Sequence, residues 1–481
     1  MHHGFQLDTS VPDYNGPLSP LDKTAFRKSI PVLGLRVPAT QTGSILKSEV
    51  ARKYLVGIPK VRPVVPDPSA PDDETQRLVL LGLNREADIP QEFLKFLKAK
   101  GDDFDFVPYE LILNYDHWTA SEILQAILPK ELREGAPTGF AATGHIAHMN
   151  LNEEYLPYKH VIGQIFLDKN KYIRTVVNKL DNIDTRFRFF EMEILAGEQN
   201  LVVEHHEADC RFTFDFSQVY WNSRLHTEHQ RIVDMLKPGE VLADVFAGVG
   251  PFALPAAKKG CAVLANDLNP NSFKYLTQNI QDNEVTETVR ASCEDGRDFI
   301  RAVFSRVATS PFPPYMGPKP SKTKARKLEK EAKKSGSAMP HDDWPSTKPV
   351  LPQSRNTIDH FVMNLPDTAI QFLDAFRGVL VSHSLRPFYY KMPMIHCHCF
   401  TRELQQDEAV QDIQRRVGEK LGHPITEDVS ITLVRSVAPG KDMYCVSFRL
   451  PSEVAYCVEA PDGRISKARD TSTFVSVDQL D

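Results

Sequence analysis

The sequence predicts an α/β fold whose central part is an open, largely parallel sheet. The first observation is a short apolar segment, residues 241–246, which is typical of a buried strand and contains a single acid. The second is a glycine turn at residues 247–250, followed by a helical segment at residues 252–259. The third is another apolar segment, residues 261–265, with Asp267 at its carboxyl end. Strand, turn, helix and strand form one β-α-β unit, whose ligands bind at the carboxyl ends of the strands.

The glycines and acids of this unit indicate which nucleotide-like ligand it binds. Gly248 and Gly250 let a ligand approach the backbone, but the third glycine of a dinucleotide-binding motif is absent, and no P-loop motif is present. S-adenosylmethionine, which has no phosphates, suits this pattern better. The pattern consists of an acid in the first strand, a short glycine turn, and Asp267, which is placed to bind two ribose hydroxyls. The alternative is an α/β core without a ligand, and the ordered set of residues disfavours it.

Length, composition and charge limit the remaining possibilities. The chain has 481 residues, more than one ordinary domain, and its 41% hydrophobic residues are enough to form cores. The net charge of −6 means that any nucleic-acid site must be a local basic face. Seven scattered cysteines predict a reducing compartment without a disulfide framework. No apolar run is long enough to span a membrane and no signal peptide is visible, so we expect no membrane association.

Changes in composition divide the chain into five predicted regions. Residues 1–74, rich in proline and polar side chains, predict a loosely structured extension and linker. Residues 75–136 predict a small α/β module, and residues 137–215 a mixed α/β domain. Residues 216–451 contain the predicted sheet domain, and residues 452–481 form a polar tail.

A basic insertion at residues 308–355 interrupts the sheet domain. Between Lys319 and Lys334 it carries eight lysine or arginine residues and two acids. Compact sheet domains do not need such a loop. Contact with an RNA backbone and a solvated insertion are both open, and we favour the second.

Residues 137–180 combine basic side chains with tyrosines. We predict a strand at residues 143–151, a helix at residues 158–167 and a strand at residues 173–178. The mixture suits phosphate contacts with stacking rings, although an ordinary solvated surface has the same composition. Its members are Lys159, His160, Lys169, Lys171, Arg174 and Lys179, with Tyr155, Tyr158 and Tyr172.

Two histidine-rich segments are interpreted as structural rather than metal-binding. The run Glu-His-His-Glu at residues 204–207 lies in a predicted strand, where successive side chains point to opposite faces. In MIHCHCF, residues 394–400, the two cysteines share one face and the two histidines the other, so a local four-ligand zinc site is not available. We therefore predict no metal site.

The remaining elements complete the predicted sheet domain. A helix at residues 227–236 begins over the cofactor cleft, and Glu228 lies near its N-terminus, where a charged carboxylate is favoured. Further strands are predicted at residues 289–293, 358–363, 394–400, 431–436 and 443–450, and helices at residues 271–281, 298–307, 369–380 and 403–421. Asp295 and Gly296 follow the third strand, where an acid commonly binds the adenine amino group. Asn364-Leu365-Pro366 ends the fourth strand, where many nucleobase methyltransferases carry Asn-Pro-Pro or Asp-Pro-Pro.

Residues from about 137 to 451 resemble the archaeal and eukaryotic tRNA (guanine37-N1)-methyltransferase family. Residues 1–136 resemble, less sharply, the amino-terminal region of its fungal members. The resemblance implies a class I (Rossmann-like) methyltransferase domain preceded by RNA-binding domains, with S-adenosylmethionine as cofactor and tRNA as partner. It is carried by PTGFAATGHIAHMNL, LPYKHVIGQIFLDKN, TVVNKL, VYWNSRLHTEHQRI, ADVFAGVGPFALPAA, NDLNP, HFVMNLP, IHCHCF and VRSVAPGKDMYCVSFRLP.

The resemblance also implies roles for individual residues. Glu228 matches the general base, and Arg188 matches the arginine that contacts the guanine. Tyr220 matches a tyrosine beside the cofactor and target base, while Asn364 and Pro366 match the pocket segment. Contacts with the cofactor are implied for His229, Asp267, Leu268, Asp295, Gly296 and Asn364, in addition to Gly248 and Gly250 of the turn. Many relatives have arginine where His229 stands, which leaves the charge at this position open.

The implied activity is methyl transfer to N1 of guanosine 37 in the anticodon loop of cytoplasmic tRNAs, with mitochondrial tRNAs left open. It is the first step towards wybutosine in tRNA-Phe. One alternative is an aminocarboxypropyl transferase of the wybutosine pathway, which does not need Glu228 as a base. The other is a non-catalytic tRNA-binding protein, which would not need the complete motif set. We expect a monomer in the cytoplasm and nucleus. The mitochondrial matrix and the acceptance of inosine at position 37 stay open.

Overall fold

The computed structural model describes residues 7–101, 104–183, 190–317, 354–459 and 465–467. Arg188 and residues 318–353 of the predicted insertion lie outside the described residues. The chain divides into two compact units, one of residues 1–179 with 192–200 and one of residues 180–191 with 201–481. The three amino-terminal regions that the sequence predicts thus fall largely into one unit. Within the described ranges, no helix is long and apolar enough to cross a membrane.

The first unit begins with a four-stranded antiparallel sheet of order β2-β3-β1-β4. The strands are β1 (Lys28–Pro38), β2 (Val64–Val65), β3 (Gln76–Leu81) and β4 (Asp105–Leu113). β1 has a partner on each side, β3 and β4, and its side chains Leu33, Leu35 and Val37 are buried. The prediction of a loosely structured extension over residues 1–74 is therefore wrong. An apolar strand this long is buried by neighbours that come much later in the chain.

A second four-stranded sheet, of order β5-β6-β7-β8, follows in the chain. Its strands are β5 (Ala141–Thr143), β6 (Ile146–Met149), β7 (Thr175–Ile183) and β8 (Phe190–Gly197). The single strand predicted at residues 143–151 is wrong, because Gly144 has a φ of +53° and turns the chain into the β5-β6 hairpin. β6 and β7 are parallel and are connected through a helix at residues 159–169.

Short helices accompany these two sheets. They are α1 (Thr42–Lys47), α2 (Glu49–Arg52), α3 (Gln91–Lys98), α4 (Ala120–Ile127), α5 (Lys130–Arg133) and α6 (Lys159–Lys169). α4 begins at a capping box, in which the Glu122 backbone N–H donates to Thr119 Oγ1 and the Thr119 backbone N–H donates to the Glu122 carboxylate.

The second unit contains a hairpin and a seven-stranded sheet of order β13-β12-β11-β14-β15-β17-β16. The hairpin is β9 (Val202–Glu207) and β10 (Cys210–Asp215). The sheet strands are β11 (Val241–Asp244), β12 (Ala262–Asn266), β13 (Val289–Ser292), β14 (His360–Met363), β15 (Met394–Thr401), β16 (Ser430–Ala438) and β17 (Lys441–Arg449). The first five strands in spatial order are parallel, and β17 pairs antiparallel with β15 on one side and with β16 on the other. A short antiparallel pair, β18 (Cys457–Glu459) and β19 (Ile465–Lys467), follows.

Helices connect the strands of this sheet. They are α7 (His226–Met235), α8 (Ala253–Lys259), α9 (Pro270–Asp282), α10 (Gly296–Thr309), α11 (Gln406–Leu421) and α12 (Ser452–Ala455), with a 3-10 helix at Ala369–Phe376 where the sequence predicts a longer helix. The core includes fully buried Phe299, Phe304, Phe361 and Phe376.

The strand order of the large sheet reverses between β11 and β14. After β11 the chain adds β12 and β13 on one side, and then returns to place β14 on the other side. In an open α/β sheet, this reversal leaves a crevice at the carboxyl ends of the strands, where ligands bind. The predicted β-α-β unit, β11-α8-β12, lies at this crevice.

Candidate active site

The glycine turn after β11 has the backbone conformation that only glycine adopts easily. Gly248 has a φ of +55° and Gly250 a φ of +101°. A Cβ atom on Gly250 would lie 3.0 Å from Leu254 Cγ and 3.0 Å from Leu276 Cδ1. A side chain at Gly250 would therefore displace both leucines, which pack the turn against its helices.

Asp267 joins the turn to the end of β12. Its Oδ2 atom accepts a hydrogen bond from the Gly248 backbone N–H at 2.8 Å, and its Oδ1 atom accepts one from the Asn269 N–H at 2.9 Å. Burial raises the pKa of Asp267. Leu268 follows it with 39% of its surface exposed. An apolar side chain and a fixed carboxylate thus stand together at the crevice.

The end of β13 contributes Asp295 and Gly296 to the same edge. The exposed Asp295 caps α10 by accepting a hydrogen bond from the Arg297 N–H at 2.8 Å. In the neighbouring residue Glu294, Oε2 accepts a hydrogen bond from Arg306 Nη2 at 2.8 Å. A Cβ on Gly296 would approach Phe246 Cε1 to 2.9 Å, so the position requires glycine for packing.

Asn364 and Asp244 present polar atoms with few partners to the crevice. Asn364 Oδ1 is buried and has no hydrogen-bond partner among the described residues. Pro366 fixes the segment, because its carbonyl oxygen accepts the Phe400 N–H at 3.0 Å. Both carboxylate oxygens of Asp244 are buried without a hydrogen bond of ordinary geometry in the described part of the chain. Burial, together with the charge of Asp267, raises the pKa of Asp244 to about 8.

These groups fit S-adenosylmethionine. The Asp267 carboxylate suits ribose hydroxyls, and the exposed Leu268 offers an apolar surface to adenine. The buried oxygens of Asp244 and Asn364 are acceptors that a cationic, hydrogen-bonding ligand would satisfy.

Glu228, in the first turn of α7, is buried and fully ion-paired. Only 5% of its surface is exposed. Arg231 Nε donates to Oε2 at 2.6 Å and Arg231 Nη2 donates to Oε1 at 2.7 Å. His398 Nε2 lies 2.7 Å from Oε1. Burial opposes ionisation of Glu228, but the hydrogen bonds from Arg231 and His398 outweigh it and lower its pKa to about 2.

His398 connects Glu228 to the crevice. It lies on β15 and is completely buried. Burial favours its neutral form, but Cys445 and the Glu228 carboxylate raise its pKa. Its ring centroid is 5.9 Å from that of Phe252, two residues after the glycine turn, and Phe252 also packs edge-on against His229 at 4.8 Å.

One ligand atom each from Glu228, His398 and Cys445 lie within 4.8 Å of one another, close enough to hold a metal ion. The prediction of no metal considered only neighbours within one strand and missed this cluster, and it stays a prediction. The Arg231 guanidinium already provides a cation on the Glu228 carboxylate. The alternation predicted for MIHCHCF is confirmed, because His396 contacts Ser447 while Cys397 and Cys399 belong to the hydrophobic core.

His229, predicted to contact the cofactor, is 4% exposed and is held by Glu207. Its Nδ1 atom lies 2.6 Å from Glu207 Oε1. The sequence analysis interprets Glu207 as one of four structural residues in a predicted strand. No pattern in that strand indicates that Glu207 contacts His229 on α7. Tyr220 keeps 45% of its surface exposed and Arg188 lies outside the described residues.

The predicted RNA-binding residues of the first unit differ in how available they are. Tyr172 is 92% exposed next to Lys171. Tyr155 is buried and donates its hydroxyl to the Leu132 carbonyl at 3.0 Å, so the prediction that it offers a stacking ring is wrong. Lys159 pairs with Glu193 at 2.6 Å, and Lys169 lies over the Tyr115 ring at 3.8 Å.

Family models match both parts of the chain. The TRM5/TYW2 methyltransferase domain matches residues 203–311, and the TYW2 N-terminal domain matches residues 120–200. A Coprinopsis cinerea protein named tRNA (guanine(37)-N(1))-methyltransferase is 56% identical, over 94% of this chain and 98% of its own length. A Schizosaccharomyces pombe protein of the same name is 41% identical, over 91% of this chain and 95% of its own length.

Solved structures share the fold. Trm5b from Pyrococcus abyssi aligns with a TM-score of 0.53 and 23% identity, over 87% of this chain and 98% of that chain. An aTrm5 chain, from a complex with tRNALeu, aligns with a TM-score of 0.57 and 19% identity, over 87% of this chain and 100% of that chain. The predicted α/β, class I methyltransferase fold is confirmed. Given relatives that align along nearly their whole length, this chain belongs to the tRNA (guanine(37)-N(1))-methyltransferase family.

Proposed function

We propose that this protein transfers the methyl group of S-adenosylmethionine to N1 of guanosine 37 in the anticodon loop of tRNA. One observation supports this most strongly: a buried carboxylate, Glu228, is held by His398, whose ring packs on Phe252 next to the glycine turn. N1 of guanine carries a proton at neutral pH and becomes nucleophilic only when that proton leaves. The reaction therefore needs a base beside the cofactor crevice, and Glu228 is a carboxylate in that place.

Each residue at the site receives a proposed role. Glu228 removes the N1 proton, while Arg188 stabilises the negative charge that grows on O6. Asn364 and Pro366 hold the target base, and Tyr220 packs beside it. When bound, S-adenosylmethionine supplies the electrophilic methyl group. Its proposed contacts are Gly248, Gly250, His229, Asp267, Leu268, Asp295, Gly296 and Asn364.

Label transfer tests the reaction. Unmodified tRNA transcripts carrying G or A at position 37 are incubated with methyl-labelled S-adenosylmethionine and digested to nucleosides. We expect label in 1-methylguanosine and only with G37. Label in another nucleoside would contradict the assigned position, and binding of cofactor and tRNA without label transfer would favour a non-catalytic tRNA-binding protein.

The aminocarboxypropyl transferase alternative needs a second label. S-adenosylmethionine labelled in its carboxyl group transfers label to tRNA only if the aminocarboxypropyl chain moves. We expect no transfer of the carboxyl label, because the relatives that align over their whole length are named for methyl transfer. Transfer of that label would replace the proposed reaction.

We further propose a monomer that acts in the cytoplasm and the nucleus and starts wybutosine formation on tRNA-Phe. One chain carries both the unit with the predicted RNA-binding residues and the sheet with the candidate active site, which supports a monomer. Sedimentation equilibrium measures the mass, and fluorescence microscopy of a tagged chain measures the compartments. A dimer, or a single compartment, would contradict the corresponding part of this proposal.

A further inference from the structure

Arg231 binds Glu228 in the way that a guanine base would. Its Nε–H and Nη2–H groups are parallel donors attached to one carbon, Cζ, and they meet the two carboxylate oxygens at 2.6 and 2.7 Å. Guanine has the same arrangement on its Watson–Crick edge, where N1–H and one N2–H are parallel donors attached to C2. The guanidinium and the guanine edge thus compete for the same pair of oxygens.

The remaining acceptor capacity of Glu228 is small. A carboxylate has about four lone-pair sites. The Arg231 fork uses one on each oxygen, and His398 approaches Oε1 at 2.7 Å. Both facing sites, where a planar donor pair would bind, are occupied by Arg231, so a guanine can give its N1 proton to this carboxylate only after Arg231 has moved.

The surroundings of Arg231 allow such a movement. Glu228 is 5% exposed at its side chain, but Arg231 is 26% exposed and lies one helical turn further along α7. The groups that face the carboxylate in the described structure are Arg231, His398 and Cys445. If the guanidinium swings outward, His398 still holds Oε1, so the carboxylate keeps one cationic donor and stays buried in a defined position.

We propose that Arg231 is a gating residue that occupies the base until the target guanine displaces it. This inference rests on the proposed function, since it takes Glu228 as the base. In the displaced state the N1–H bond breaks and its proton moves to Glu228. N1 then forms a bond to the methyl carbon as the methyl–sulfur bond breaks, leaving a neutral thioether. Adenine has no hydrogen on N1 and cannot replace the guanidinium, so the gate also discriminates between purines.

Replacing Arg231 by methionine removes the competitor. We expect R231M to lower the concentration of G37 tRNA that half-saturates single-turnover methylation, by roughly tenfold, the equivalent of one charge-assisted hydrogen bond. The rate constant at saturation should stay within about twofold, since Arg231 is already displaced in that complex. R231K keeps the positive charge but loses the pair of parallel donors. Its half-saturating concentration of G37 tRNA should lie between those of the wild type and R231M. Binding of A37 tRNA should not change.

A matched control is available on α11. Arg415 pairs with Asp412, three residues before it, through one hydrogen bond from Nη2 to Oδ1 at 2.8 Å, and its side chain is 59% exposed on the outer face of the helix. R415M should leave all three quantities unchanged. Thermal unfolding of each variant establishes that it is folded.

The outcomes separate this inference from the proposed function. If wild-type protein makes no 1-methylguanosine, the proposed function fails. If wild-type protein makes it, but folded R231M and R231K both bind G37 tRNA more weakly or lose more than tenfold in the rate at saturation, Arg231 assists the reaction and the gate is wrong. Equal gains for G37 and A37 tRNA would also overturn it, because the competitor would then not be specific for guanine.

Discussion

A carboxylate such as Glu228 is unusual because it is almost completely buried yet ionised. Removing one member of a buried ion pair commonly costs about 3–5 kcal/mol, because the other charge is left without a partner. Here two side chains, Arg231 and His398, both contact the Glu228 carboxylate and stabilise its charge. Glu228 can therefore lose one partner during a reaction cycle and remain charged.

Replacing Glu228 by glutamine should separate binding from chemistry. The amide keeps the shape of the side chain but cannot take the N1 proton, so we expect single-turnover methylation to slow by roughly 10²–10⁴. Affinities for cofactor and G37 tRNA should change only a few-fold. Rapid-quench kinetics and equilibrium binding measure these quantities, with D412N as a control for the loss of an acid that is paired to arginines on α11. A near-normal rate would show that Glu228 is not the base.

Asp244 should couple cofactor binding to proton release. Because its pKa in the ligand-free fold, about 8, lies above its ordinary value of 3.8, the folded protein binds more protons than the unfolded chain between these values. This group therefore lowers stability as pH rises from about 4 to 8. A cationic cofactor in the crevice favours the ionised carboxylate and should release a proton near pH 7.

Calorimetry in buffers of different ionisation enthalpy measures the proton released as S-adenosylmethionine binds. We expect release by the wild type and none by D244N, which should also be more stable than the wild type at pH 8 without cofactor. Binding heats of the wild type that do not depend on the buffer would contradict the coupling.

The glycine turn between β11 and α8 is an element whose backbone we expect the cofactor to contact. G250A combines an unfavourable positive φ with a Cβ placed 3.0 Å from two leucine side chains. We expect a destabilisation of about 2–4 kcal/mol and weaker cofactor binding, measured by thermal unfolding and calorimetry. G440A is the control, because Gly440 has a φ of +69° and no atom within 4 Å of an added Cβ. Equal effects of the two variants would show that packing at the turn is unimportant.

Local patterns predict the elements of the large sheet well, because each β-α-β unit is coded by neighbouring residues. They fail where contacts are distant in sequence. The sequence does not predict β1, because its partners β3 and β4 follow dozens of residues later and the prolines in and around it are typical of a linker. His398 was missed as a partner of Glu228 because 170 positions separate them. Arg231 could have been found, since residues three apart face each other on a helix.

At the scale of the whole molecule, an acidic protein must attract a polyanion through a local surface. The formal net charge is −6, yet Lys171 and the 92% exposed Tyr172 stand together in the first unit. The double variant K171E/Y172A should weaken tRNA binding by roughly ten- to a hundredfold, through lost phosphate contact and stacking. Cofactor affinity should not change, because the crevice belongs to the other unit.

Filter binding at several salt concentrations measures this effect, and the variant should also show a smaller dependence of affinity on salt. K98E, on the surface of α3, is the control, because it changes the charge of the protein by the same amount as K171E. Y109A is not a suitable control, because Tyr109 lies within β4. Equal weakening by K98E would show that overall charge, and not this surface, governs binding.

The central position of β1 has a consequence for synthesis on the ribosome. β1 ends at Pro38, but β4, which pairs with it along nine residues, is complete only at Leu113. At 5–20 residues per second, the ribosome needs on the order of 4–15 s to make the intervening chain. During that time the nascent strand carries an unpaired apolar edge outside the exit tunnel, which makes it a natural substrate for chaperones that bind extended hydrophobic segments.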